Sequence, residues 1–191
     1  LQTAAAADFS LATNPETHQP WLTRRGEVLL PAAAIKLAGL HNVANALAAL
    51  ALGEALRLPR AAMLEELQEF AGLPHRTEWV ADVDAVRYLN DSKGTNVGAT
   101  LAAVAGLDGP LIVIAGGDGK RQDFAPLAAA FRGKVRLAVL IGRDAPTLAA
   151  VLADVCEVQQ AATLESAVGL AHDAAQAGDT VLLSPACASV D

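Results

Sequence analysis

Asn90, Asp91, Ser92, Lys93, Thr95 and Asn96 crowd around Gly94 in the stretch YLNDSKGTNVGAT, residues 88–100. A carboxylate such as Asp91 can bind a ribose hydroxyl or Mg2+. Lys93 can meet a phosphate or a carboxylate. Thr95 stands next to a predicted helix start, where unpaired N–H groups favour anions. The competing reading is local: Ser92, Thr95 or Asn96 caps that helix. A second polar loop, AGGDGKRQDF (115–124), offers glycine N–H groups and the charge of Lys120. It fails as a Walker loop, because Ile114 occupies the place of the first glycine and Arg121 follows Lys120 where Ser or Thr is needed. The other reading is a tight strand-to-helix turn. A third loop, SPACAS (184–189), ends in Ser189.

Two further groups sit apart from these loops. His41, Asn42 and Asn45 open a strongly apolar helical stretch, with the two amides three residues apart and on one face. An amide offers a donor and an acceptor, which suits an adenine edge; a satisfied core amide beside a capping histidine is the plainer alternative. His75 and Arg76 fall where a domain boundary is expected, with an interdomain salt bridge as the alternative to a ligand role. The four histidines show no metal-ligand spacing, and neither HxxxH nor CxxC occurs.

The elements that must hold these groups follow from the apolar pattern. DFSLATN and GEVLLPAAAI read as short strands, HNVANALAALALGEALRLP as a helix buried on several sides, and RAAMLEELQEF as a second helix. Gly72 and Pro74 end that part, which predicts domains at 1–73 and 74–191. The second part begins with a hairpin turning near residues 82–84 and then alternates helix and strand to its end. Its strands are continuous apolar runs such as PLIVIAGG, as expected when helices cover both faces of a parallel sheet. The predicted class is α/β, a Rossmann-like parallel sheet flanked by helices. All three polar loops fall at strand carboxyl ends, where such sheets bind ligands.

Composition narrows the function further. A net charge of −7 over 191 residues argues against nucleic-acid binding through a basic surface, and no apolar run is long enough for a membrane span. Cys156 and Cys187 give no disulfide framework and suit a reducing cytoplasm. Leu1 opens uncapped within an alanine run and Asp191 closely follows a strand, so the chain is expected to be a piece of a longer protein.

The stretches GLHNVANALAALAL, GLPHRTEWV, LNDSKGTNVGAT, GGDGKRQDF and LLSPACASVD together resemble the Mur ligase family, in the family's order, from about Gly39 onward. The NDSKGTN and SPACAS runs favour its glutamate-adding member. The resemblance implies the end of a central ATP-binding domain, at 1–73, joined to a C-terminal amino-acid-binding domain. It implies ATP and Mg2+, with the phosphate loop and most metal ligands upstream, so that this piece alone is expected to be inactive. The implied substrates are UDP-N-acetylmuramoyl-L-alanine and D-glutamate, joined by a monomer in peptidoglycan precursor synthesis. By the same resemblance His41, Asn42, Asn45, Arg76 and Asp91 bind ATP, with Asn42 and Asn45 by the adenine, Arg76 by the phosphates and Asp91 by the ribose. Lys93, Thr95, Lys120 and Ser189 line the glutamate side, with Lys93 and Lys120 catalytic. The alternatives are another Mur ligase, a ligase like folylpolyglutamate synthase, or a ligand-binding Rossmann-like module without activity.

Overall fold

A computed structural model describes residues 8–37 and 39–188. The chain forms two compact units, Leu1–Gly72 and Leu73–Asp191. In the first unit three strands, β1 (Phe9–Thr13), β2 (Pro20–Arg24) and β3 (Glu27–Pro31), make an antiparallel meander. Two helices follow, α1 (Leu40–Ala55) and α2 (Arg60–Glu69). Leu22, Leu30, Ile35, Val43, Ala46 and Leu50 form their shared core, with Met63, Leu64 and Leu67 packed against it. Strand β2 was not anticipated, because PWLTR is short and carries no clean alternation. The burial of α1 is also narrower than its composition predicts. Val43 and Leu50 are buried, but Leu52 is 67% exposed and Leu56, just past the end of the helix, 74%, since within this unit α1 has partners on one side.

The second unit is an α/β sandwich on a six-stranded sheet in the order β4-β5-β9-β6-β7-β8. Strands β4 (Glu78–Val83) and β5 (Val86–Asn90) form an antiparallel hairpin. Its turn lies at Asp84 and Ala85, slightly later than expected, both with positive φ. The other pairings, among β5, β6 (Leu111–Gly116), β7 (Val135–Ile141), β8 (Glu157–Gln160) and β9 (Thr180–Leu183), are all parallel.

Handedness explains where the helices go. From β5 through β8 each crossover moves the chain in one direction across the sheet. The connecting helices α3 (Val97–Gly106), α4 (Ala125–Phe131) and α5 (Ala145–Leu152) therefore pack on one face. The last crossover runs back from β8 to β9, between β5 and β6. A right-handed connection then requires the opposite face, and α6 (Leu164–Ala174) packs there. Strand β6 serves both layers: Leu111, Val113 and Ala115 face α3 to α5, and Ile112 and Ile114 face α6. That two-sided burial is the reason its sequence reads as an unbroken apolar run.

Candidate functional site

In the second unit the turns after β5, β6 and β9 meet at the carboxyl edge of the sheet, and much of their polarity is turned inward. Ser184 donates its hydroxyl proton to Asp91 Oδ2 at 2.8 Å. That uses the only proton Ser184 has, so Thr100 Oγ1, 2.9 Å away, is the donor to Ser184. Asp91 Oδ1 accepts from the Thr77 N–H at 3.1 Å. Asp91 is 8% exposed, and Thr100 and Ser184 are fully buried. The network binds the end of β5, the end of β9 and helix α3 into one piece. Gly94 belongs to it by having no side chain, because a Cβ there would lie 2.7 Å from Ser184 Oγ and collide with Asp91.

Replacing Asp91 by Ala is expected to destabilise the second unit by about 1–3 kcal/mol, since it strips partners from a buried hydroxyl and from a backbone N–H. Asp91→Asn keeps an acceptor and should cost less. Urea unfolding of both variants measures the difference, and equal stability of wild type and Asp91→Ala would show that the network carries no folding energy.

The remaining loop polarity divides in two. Asn96 caps α3, accepting from the Ala99 N–H at 2.9 Å, and so settles which of the candidate residues caps the helix. Asn90 accepts from the Ser92 N–H at 3.0 Å and meets His75 Nδ1 at 2.9 Å. Lys93 and Thr95 are exposed. The backbone N–H of Lys93 donates to the His75 carbonyl at 3.1 Å, which sets the lysine beside the His75–Arg76 turn; Arg76 is exposed there.

The GGDGKRQD turn is held from several sides. The Asp118 and Ala188 backbones pair with each other at 3.0 and 2.9 Å, joining this turn to SPACAS. Asp144, ahead of α5, accepts from the Gly119 N–H at 2.6 Å and from Arg143 at 3.4 Å. These two contacts hold the Asp144 carboxyl below the ordinary range. The sign is that of a depressed carboxyl: its grip on the turn is complete above the ordinary carboxylate pKa and is lost as pH falls through the lowered one. Arg143 also pairs with Asp118, whose Oδ1 accepts from the Lys120 N–H at 2.8 Å. Lys120 itself is exposed and adopts φ 49°, followed by Arg121 at φ 64°. Two successive left-handed residues that are not glycine carry strain.

The glycines of this turn answer a packing need. Gly116, Gly117 and Gly142 all have positive φ. A Cβ on Gly116 would strike the Ile141 carbonyl, and one on Gly142 would lie 2.8 Å from Gly117 Cα. The glycines let the turns after β6 and β7 touch, which matches the tight-turn reading.

One side chain outside the predicted set touches all three segments. Gln122 accepts from the Val97 N–H at 3.1 Å at the start of α3. Its amide nitrogen lies 3.0 Å from the Gly119 carbonyl and 3.4 Å from that of Ala186. Nothing in its sequence context marks it, because a Gln in a polar turn is commonplace. Beside these loops lies a hollow of about 510 Å3, lined among others by Ser92, Gly117, Gly142, Thr163 and Pro185. Lys93, Thr95 and Lys120 stand outside its lining. Burial, with Asp144 and Asp118 adding to it, pushes the Cys187 thiol up to about 11. Cys187 therefore packs as an apolar residue and is no nucleophile.

In the first unit, His41 and Asn42 lie half-buried in the first turn of α1. Asn45 is exposed, with its amide nitrogen 3.4 Å from Asn42 Oδ1. Ser189 lies outside the described residues. Among the described residues no group of three or more His, Cys, Asp or Glu could hold a metal ion, and no helix is long and apolar enough to cross a membrane.

Comparison with known proteins places this arrangement. Residues 75–187 match the family described as "Mur ligase, glutamate ligase domain". Two proteins named "UDP-N-acetylmuramoylalanine--D-glutamate ligase" are similar in sequence. That of Nitrosococcus oceani is 57% identical over 175 residues, 91% of this chain and 39% of that protein. That of Ralstonia nicotianae is 54% identical over 180 residues, 94% of this chain and 36% of that protein. The chain thus spans less than half the length of these relatives. Two solved structures share the fold. MurF from Acinetobacter baumannii has a TM-score of 0.68 at 16% identity, over 95% of this chain and 42% of that one. A bifunctional folylpolyglutamate synthase/dihydrofolate synthase from Yersinia pestis has a TM-score of 0.69 at 21% identity, over 93% and 42%.

Proposed function

This chain belongs to the Mur ligase family, whose glutamate ligase domain it carries over residues 75–187, and from that membership we propose that the full-length protein is an ATP-dependent ligase adding D-glutamate to UDP-N-acetylmuramoyl-L-alanine. The observation that carries the proposal is the convergence of NDSKGTN, GGDGKRQD and the SPACAS turn at one sheet edge. That edge leaves Lys93, Thr95 and Lys120 exposed on a framework that is otherwise hydrogen-bonded internally. The names of the sequence relatives point to the same substrates.

A carboxylate and an ammonium group do not condense at neutral pH. In the proposed reaction ATP first phosphorylates the carboxylate of UDP-N-acetylmuramoyl-L-alanine. The amine of D-glutamate then attacks the acyl carbon, and phosphate departs with its oxygen. Lys93 and Lys120 have the charge to bind the carboxylates of glutamate and to offset the negative charge that builds on the acyl oxygens during attack. Thr95 and Ser189 add hydroxyl contacts to the incoming amino acid. Asn42 and Asn45 are assigned to adenine, Arg76 to the phosphates and Asp91 to the ribose, with His41 a further ATP contact. When bound, Mg2+ would neutralise charge on the ATP phosphates. The protein would act as a monomer in the cytoplasm, where ATP and the nucleotide-linked precursor are made.

Full-length protein given ATP, UDP-N-acetylmuramoyl-L-alanine and one amino acid at a time should release phosphate fastest with D-glutamate, and the new amide should be visible by mass spectrometry. Preference for another amino acid, or for a folate acceptor, would replace this reading with one of its sibling activities.

A further inference from the structure

We propose that Gln122 is a positioning residue for the amino-acid side of the site: one amide that holds the start of α3, the Lys120 turn and the SPACAS turn in register. The inference rests on the ligase reading only for its kinetic consequence.

Val97 is the first residue of α3, so its N–H has no partner within the helix. Gln122 Oε1 supplies one at 3.1 Å. The same amide offers two N–H groups, and the carbonyls of Gly119 and Ala186 stand at 3.0 and 3.4 Å to receive them. A side chain with one acceptor and two donors is needed to satisfy this trio, which among uncharged side chains of this reach only Gln provides. The residues it ties flank the groups assigned to glutamate. Thr95 lies two residues before Val97, Lys120 directly follows Gly119, and Ser189 lies three residues after Ala186. The Lys120 backbone is held in a left-handed conformation that its own preference opposes. An external tie is what keeps such a turn from relaxing, and a small displacement of a positioned charge is costly to turnover.

Two variants test this. Gln122→Met keeps the length and removes all three hydrogen bonds. Gln122→Glu keeps the shape but sets a carboxylate against two carbonyl oxygens. Hydrogen exchange on this chain should show the Val97 N–H losing protection in Gln122→Met while the amides of β6 and β7 keep theirs. In the full-length enzyme, kcat/KM for D-glutamate should fall roughly ten- to hundredfold, with the KM for ATP within about twofold. Gln122→Glu should be impaired at neutral pH and recover relative to wild type as pH falls, because the protonated acid regains one donor. Unchanged Val97 exchange in Gln122→Met would remove the tie. Lost protection with unaltered glutamate kinetics would reduce Gln122 to a structural residue. If wild type ligates no glutamate, the ligase reading fails on that result alone, and the tie is still decided by Val97 exchange.

Discussion

Gly116→Ala is expected to remove about 3–5 kcal/mol from the second unit, the sum of a strained positive φ and an overpacked contact. Gly116 closes β6 with φ 125°. Its N–H donates to the Pro185 carbonyl at 2.8 Å, so the backbone has no freedom to back away. An alanine Cβ would overlap the Ile141 carbonyl oxygen and lie 2.9 Å from both the carbonyl carbon and the nitrogen of that residue. Ile141 is itself the last residue of β7, paired in register with Gly116. Relief therefore requires prising apart two central strands at their carboxyl ends. A loss of that size is a large part of the stability of a typical domain, and the melting temperature should fall by roughly 10–20 °C. Gly133→Ala is the control. Gly133 also has positive φ, 74°, but a Cβ there meets nothing within 4 Å, so it should cost only the backbone term of about 1 kcal/mol. Calorimetry on both variants separates the two contributions. Equal losses would mean that the approach of β6 to β7 places no demand on the residue at 116.

The contrast between Gly116 and Asp91 shows what could be read from the chain before its structure. Strands β6, β7 and β9 were legible because helices on both faces force every position to be apolar, and a run such as LIVIA has few other uses. That logic also placed the polar loops at strand carboxyl ends. It did not say which way each polar group points. Asp91 and Ser184 are 93 residues apart and meet only because β9 inserts beside β5. No local pattern announces such a pairing, and so the sequence offers a ligand role or a helix cap for the polar groups around Gly94 but no buried network. Part of that polarity is a buried girder and a helix cap, and Lys93 and Thr95 are the exposed members that take no part in either. Gln122 was missed for the same reason, since two of its three partners, Val97 at the start of α3 and Ala186 in the SPACAS turn, are 25 and 64 residues away. In the first unit, the apolar girth of α1 correctly announced a helix with a buried face but overstated its cover. Composition records how much apolar surface exists, not which of it is covered, and Leu52 and Leu56 stay exposed.

Lys120→Ala should leave the fold intact and, on the proposed ligase activity, sharply lower the full-length protein's use of glutamate. The side chain is exposed, so its loss removes no core contact. The backbone of the turn is held by Asp118, by the Asp144 bond to Gly119 and by Gln122, none of which involves the lysine ammonium. Removing a cation from a bound carboxylate costs about 1.5–3 kcal/mol when the pair is partly solvated and 3–5 when it is sealed from water. The expected result is a fall of roughly tenfold to several thousandfold in kcat/KM for D-glutamate, with the KM for ATP nearly unchanged. Lys120→Gly sharpens the test. At φ 49° a lysine bears the left-handed penalty of about 1 kcal/mol, and glycine does not. Lys120→Gly should therefore unfold at a higher temperature than Lys120→Ala while losing glutamate use just as severely. A strained residue that is stabilised by replacement yet required for turnover is held in place for its chemistry. If both variants instead lose ATP affinity and keep their affinity for glutamate, the lysine serves the phosphates, and the amino-acid side of this edge must be rebuilt around Lys93.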